Sequence, residues 1–84
     1  FLNHQNLRSK KCLIMVVEIF KTNVEKAAQT NYIIAVIKRQ FPSYKINFDL
    51  EDCDKILRVE AVEPQWNVII DYVNRLGFSC IRLE

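Results

Sequence analysis

Asp52, Cys53 and Asp54, with Glu51 just before them, are the densest group of potential ligand atoms in this 84-residue chain. Carboxylates on both sides of a thiol disfavour its thiolate through like charge, so Cys53 reads as a poor nucleophile. Two carboxylates attract a hard cation, yet the spacing is not that of an EF-hand loop and no third fixed ligand is identifiable. The expected state is a solvated polar turn, with weak ion binding as the alternative. Cys12 and Cys80 fall on strand-like segments, where a free cysteine packs as a small hydrophobe. The cysteine separations match no CxxC or Cys/His zinc pattern. A relocated metal site would need Cys80 to converge on Cys53, Asp52 and Asp54 through the fold. His4 is the only histidine and has no serine or cysteine partner placed to form a triad. With no assembled base, nucleophile or anion cradle, the chain is expected to be non-enzymatic and to need no cofactor.

The composition is that of a globular domain: 50% of residues are hydrophobic, 26% are charged, and there are one glycine and two prolines. The formal charge of +2 is unevenly placed. Arg8, Lys10 and Lys11 make residues 1–14 a basic arm, while the remainder is slightly acidic. The acid cluster at 49–54 repels phosphates, so nucleic acid is not expected as a partner. The apolar run at 12–17 is too short for a signal peptide or a membrane span, and no segment approaches ~20 apolar residues. Three cysteines, an odd number too small for a disulfide scaffold, fit a reducing, cytoplasmic setting. Met15 is a candidate natural start, which makes residues 1–14 an extension.

The elements that must position these residues follow from periodicity. Residues 13–20 (LIMVVEIF) read as a buried central strand, apolar on both alternate sets except for Glu18. Thr22-Asn23-Val24-Glu25 matches a capping box and predicts a helix start. Ala27, Ile33, Ile34, Ile37 and Phe41 supply its apolar stripe, Lys38 and Arg39 suit its last turn, and Pro42 ends it. Residues 44–50 alternate, with Tyr44, Ile46, Phe48 and Leu50 on one face and Lys45, Asn47 and Asp49 on the other. A polar turn at 51–54 and a strand at 55–62 complete a hairpin. Pro64 opens a second helix with the stripe Trp66, Ile69, Ile70, Val73 and Leu76, capped by Gly77. A last strand covers 78–83; whether Phe78 and Cys80 or Ile81 and Leu83 point inward is open.

The order βαββαβ predicts an α+β, ferredoxin-like sandwich: a four-stranded antiparallel sheet with two helices on one face. Residues 1–12 form the polar arm and 13–84 the single domain. Strands one and three are expected at the centre, as parallel neighbours.

The strand, the loop at 21–26, the helix spacing and the ending Leu76-Gly77-Phe78-Ser79-Cys80 resemble a heavy-metal-associated domain over residues 15–84. The segment at 47–60 is similar to one in small bacterial relatives that lack the metal motif. In that family a Met-Thr-Cys-x-x-Cys loop holds a soft metal ion between two thiolates. Here the loop reads Lys21-Thr22-Asn23-Val24-Glu25-Lys26, so Asn23 and Lys26 stand at both cysteine positions and Lys21 at the methionine. The resemblance therefore implies the scaffold without its usual metal site.

A sheet covered by helices on one side leaves the other side open. On the expected phase that face presents Ile14, Val16, Phe20 and Ile56 beside Glu18, Arg58 and Glu60. An apolar strip with a charged rim suits contact with a protein partner or a second copy. The expected function is a binding module that associates through this face.

Overall fold

The computed structural model describes residues 14–83. The basic arm, His4 and Cys12 lie outside the described residues. The chain forms β1 (Val16–Thr22), α1 (Ala27–Gln40), β2 (Lys45–Asp49), β3 (Ile56–Ala61), α2 (Trp66–Arg75) and β4 (Cys80–Leu83). The strands make one sheet in the order β2-β3-β1-β4, and every neighbouring pair is antiparallel. This is the expected α+β sandwich, with one correction. β1 and β3 are antiparallel and not parallel, because the β2–β3 hairpin reverses the chain and inserts β3 between β2 and β1.

The register sets which face of each strand meets the helices. Directly opposite residues share a face, so Phe20 opposite Leu57 and Phe48 opposite Leu57 mark the helix side. Phe20, Leu57 and Val59 are fully buried there against Ile33 and Ile37 of α1 and Ile69 and Val73 of α2. In β2 the expected alternation holds, with Ile46 and Phe48 half-buried and packed on the core while Lys45, Asn47 and Asp49 are exposed.

β1 takes the opposite phase from the one expected. Val16, Glu18, Phe20 and Thr22 face the helices; Val17, Ile19 and Lys21 face away. Both alternate sets of this strand are mainly apolar, with Glu18 and Thr22 in one and Lys21 in the other, so periodicity alone carries no phase. Pairing with Leu57 and Val59 decides it, since β3 has one clearly buried set.

The first helix also starts later than its apparent capping box. Thr22 is the last residue of β1; its hydroxyl donates to the Lys55 carbonyl at 2.6 Å and accepts the Val24 N–H at 3.3 Å. It satisfies a cross-strand group and leaves the helix start to Gln29, whose Oε1 accepts the Glu25 and Lys26 N–H groups at 3.2 and 3.1 Å. Reaching back from the third helical position, this amide fills half of the capping-box role.

Pro64 is likewise not the first residue of α2, which begins at Trp66. The entry is held by Tyr44, whose hydroxyl accepts the Gln65 N–H at 2.9 Å and donates to the Glu63 carbonyl at 3.2 Å. The Tyr44 ring stacks on Phe41, centroids 4.4 Å apart, so one side chain joins the end of α1 to the start of α2. Gly77 ends α2 as expected. At φ +98°, its N–H bonds to the Asn74 carbonyl and the Phe78 N–H to the Val73 carbonyl, the paired bonds of a Schellman cap.

Candidate functional site

The open face is built from three cross-strand rows. Lys45, Glu60 and Val17 form one; Asn47, Arg58, Ile19 and Leu83 the next; Asp49, Ile56, Lys21 and Ile81 the third. Its apolar part therefore runs along β1 and β4. Ile81 is 58% exposed, Val17 41% and Leu83 38%, with half-buried Ile19 and Ile56 beside them. Polar residues occupy the β2–β3 side. There Arg58 Nε donates to Glu60 Oε2 at 3.2 Å, and Lys21 Nζ lies 3.7 Å from Asp54 Oδ1.

Of the residues expected on this face, Ile56 is on it. Phe20 is not: it is fully buried on the helix side. Val16, opposite Ala61, shares that side although the strand's beginning leaves it 41% exposed. Ile14 is 71% exposed and precedes β1. Val17, Ile19, Ile81 and Leu83 take the places assigned to Ile14, Val16 and Phe20. The alternating set containing Val17 and Ile19 was visible in the sequence; its direction was not.

Glu18 also moves to the helix side. Its carboxylate accepts two bonds from Arg82, Nε to Oε1 at 2.8 Å and Nη2 to Oε2 at 3.2 Å. The Arg82 guanidinium carbon lies 4.5 Å from the centroid of a Trp66 ring. Trp66, expected on the core stripe, is 40% exposed because it covers this ion pair at the first turn of α2. The guanidinium thus joins a central strand, the edge strand and a helix through a forked hydrogen bond and a cation–π contact.

In the acidic turn, ligand atoms of Asp52, Cys53 and Asp54 lie within 4.8 Å of one another. Asp52 Oδ1 already accepts the Asp54 N–H at 2.8 Å, and the Lys21 ammonium stands beside Asp54. Both contacts compete with a cation. Cys80 is outside that group and is buried at the start of β4, opposite Thr22. This settles the phase of β4: Cys80 points inward and Ile81 and Leu83 outward.

Burial pushes the Cys80 thiol up from 9.0 to about 12. The folded state holds this proton more tightly than the unfolded chain, so the stabilisation is complete below pH 9.0 and is lost as pH rises towards about 12. Urea midpoints should therefore fall across that window, and replacing Cys80 by alanine should flatten the fall. A fall of equal size in Cys80→Ala would assign it to other groups.

The loop at 21–26 offers no soft donor. Lys21 is turned to the open face, Asn23 Oδ1 accepts the Ser79 N–H at 2.9 Å, and Lys26 is exposed just before α1. The amide of Asn23 thus pins the connection leading into β4. No helix among the described residues is long and apolar enough to cross a membrane. Comparisons of this chain with protein families, with curated proteins and with solved structures found no match.

Proposed function

We propose that this chain is a small non-enzymatic interaction module which associates with a second copy of itself through the open face of its sheet. The observation that carries this reading is the exposed strip of Val17, Ile19, Ile81 and Leu83 on adjacent strands. The rim supports a second copy as the occupant. Lys21, Lys45 and Arg58 are matched by Asp49, Asp54 and Glu60 on or beside the same face. A charge-balanced rim complements itself, whereas a strongly acidic or basic partner would call for one dominant sign.

A sheet of four strands is about 19 Å wide and, at five residues per strand, about 17 Å long. Two such faces in contact bury about 650 Å² by that footprint, the size of a weak, transient association and not of an obligate dimer. Association in the micromolar range is the expected strength. The βαββαβ order and the Gly77 cap support the resemblance to a heavy-metal-associated domain without its metal loop, and three cysteines, too few for a disulfide scaffold, support a cytoplasmic setting.

Native mass spectrometry with zinc present, together with light scattering, tests the reading. The expected result is a dimer without bound ion that becomes monomeric in Ile81→Glu while the circular dichroism spectrum is unchanged. A monomer at hundreds of micromolar would reject it, as would a dimer unaffected by Ile81→Glu. A monomer that dimerises after removal of residues 1–13 would assign the face to those residues. One zinc per chain, lost in Cys53→Ser, would move the function to the acidic turn, the second reading, which rests on the 4.8 Å grouping there.

A further inference from the structure

Away from the open face, α1 and α2 leave a groove between them. It has a volume of about 320 Å³ and is lined by Val36, Arg39, Gln40, Tyr72, Arg75 and Leu76. Val36, Tyr72 and Leu76 are half-buried and supply an apolar floor, while Arg39, Gln40 and Arg75 are exposed. α1 carries no acidic residue, and the only acid on α2 is Asp71, which pairs with Arg75 at 3.0 Å. Two guanidiniums and one carboxylate give the side chains on and beside the groove a formal excess of one positive charge.

Helix dipoles explain a cation in each last turn. On α1, however, Lys38 meets that demand as well as Arg39 does. The dipole does not explain why Arg39 and Arg75 line one groove with a hydrophobic floor. From this combination we infer that the groove binds a small organic monoanion, a carboxylate on an apolar body of about ten heavy atoms. The size follows from volume: about ten water-sized volumes of roughly 30 Å³ fill such a space. The charge class follows from the guanidinium, whose planar fork matches a carboxylate. Partial neutralisation of Arg75 by Asp71 favours a single negative charge over a phosphate dianion. A ligand of this size in an open groove binds at about millimolar concentration. The inference does not depend on how the open sheet face is used.

Amide chemical shifts of the ¹⁵N-labelled protein, titrated with phenylacetate, test it. Shifts at Val36, Gln40, Tyr72 and Leu76 should saturate at millimolar phenylacetate. Affinity should fall at least tenfold in Arg39→Gln/Arg75→Gln, both positions being exposed and the spectrum otherwise retained. Neutral phenylacetamide should shift the same amides at least tenfold more weakly. Equal responses to the acid and the amide would overturn the proposal, as would unchanged binding in the double variant. Inorganic phosphate moving these amides as strongly as phenylacetate would reduce the site to non-selective charge attraction and also overturn it.

Discussion

Phe20→Ser is expected to unfold this domain at room temperature. Phe20 is fully buried at the centre of β1, opposite Leu57, in the cluster that both helices cover. Removing a buried phenylalanine ring costs about 3–5 kcal/mol, and a serine hydroxyl left there without a partner adds about 1–3 kcal/mol. A chain of this length has a total stability on the order of 4–12 kcal/mol, and small domains fall towards the low end. The loss matches the whole margin. Far-ultraviolet circular dichroism and a urea titration should show a chain largely unfolded before denaturant is added. Ile81→Ser, 58% exposed on the opposite face, should shift stability by no more than about 0.5 kcal/mol in the monomer. If Phe20→Ser melts within a few degrees of the parent, the face assignment of β1 is wrong, and the proposed interface fails with it.

The second large effect lies at Arg82. Arg82→Leu leaves the Glu18 carboxylate, 12% exposed, without its two donors, and uncovers Trp66. Breaking a fully buried pair from one side costs about 3–5 kcal/mol. The Arg82 side chain is 31% exposed, so solvent screening brings the expected loss to about 2 kcal/mol. Glu18→Gln keeps an acceptor and leaves the cation over the indole, and should cost about half as much. In the double variant Glu18→Leu/Arg82→Leu no unpaired charge remains. It should therefore be at least about 1 kcal/mol more stable than the two single leucine variants predict by addition. Trp66 emission should shift to the red in every variant lacking Arg82. Strict additivity, with no change in emission, would show that the three groups do not act together.

These two sites mark where local sequence stops being informative. In β2, Lys45, Asn47 and Asp49 alternate with Ile46 and Phe48, so a single strand announces its own inward face. In β1 both alternate sets are mainly apolar and each is interrupted by a polar residue, so the period of two is present without a direction. Thr22 shows a related limit. Its spacing to Glu25 fits a capping box, but its hydroxyl is taken by the Lys55 carbonyl, 33 residues away. The Asn23–Ser79 bond spans 56 residues and the Glu18–Arg82 pair 64. No periodicity or motif links such positions, because each contact exists only once the sheet has closed.

Local chemistry was enough for the order of elements, the hairpin, the glycine cap on α2 and the absence of soft ligands from residues 21–26. Each depends on neighbouring residues and on rules of backbone geometry that act over a few positions. Assembly decided the direction of β1 and β4, and with it the interior place of Phe20 and Cys80 and the exposure of Val17, Ile19, Ile81 and Leu83. A strand apolar on both sides can pack either way. It turns whichever side its hydrogen-bonded neighbours turn, and those neighbours lie dozens of residues away along the chain.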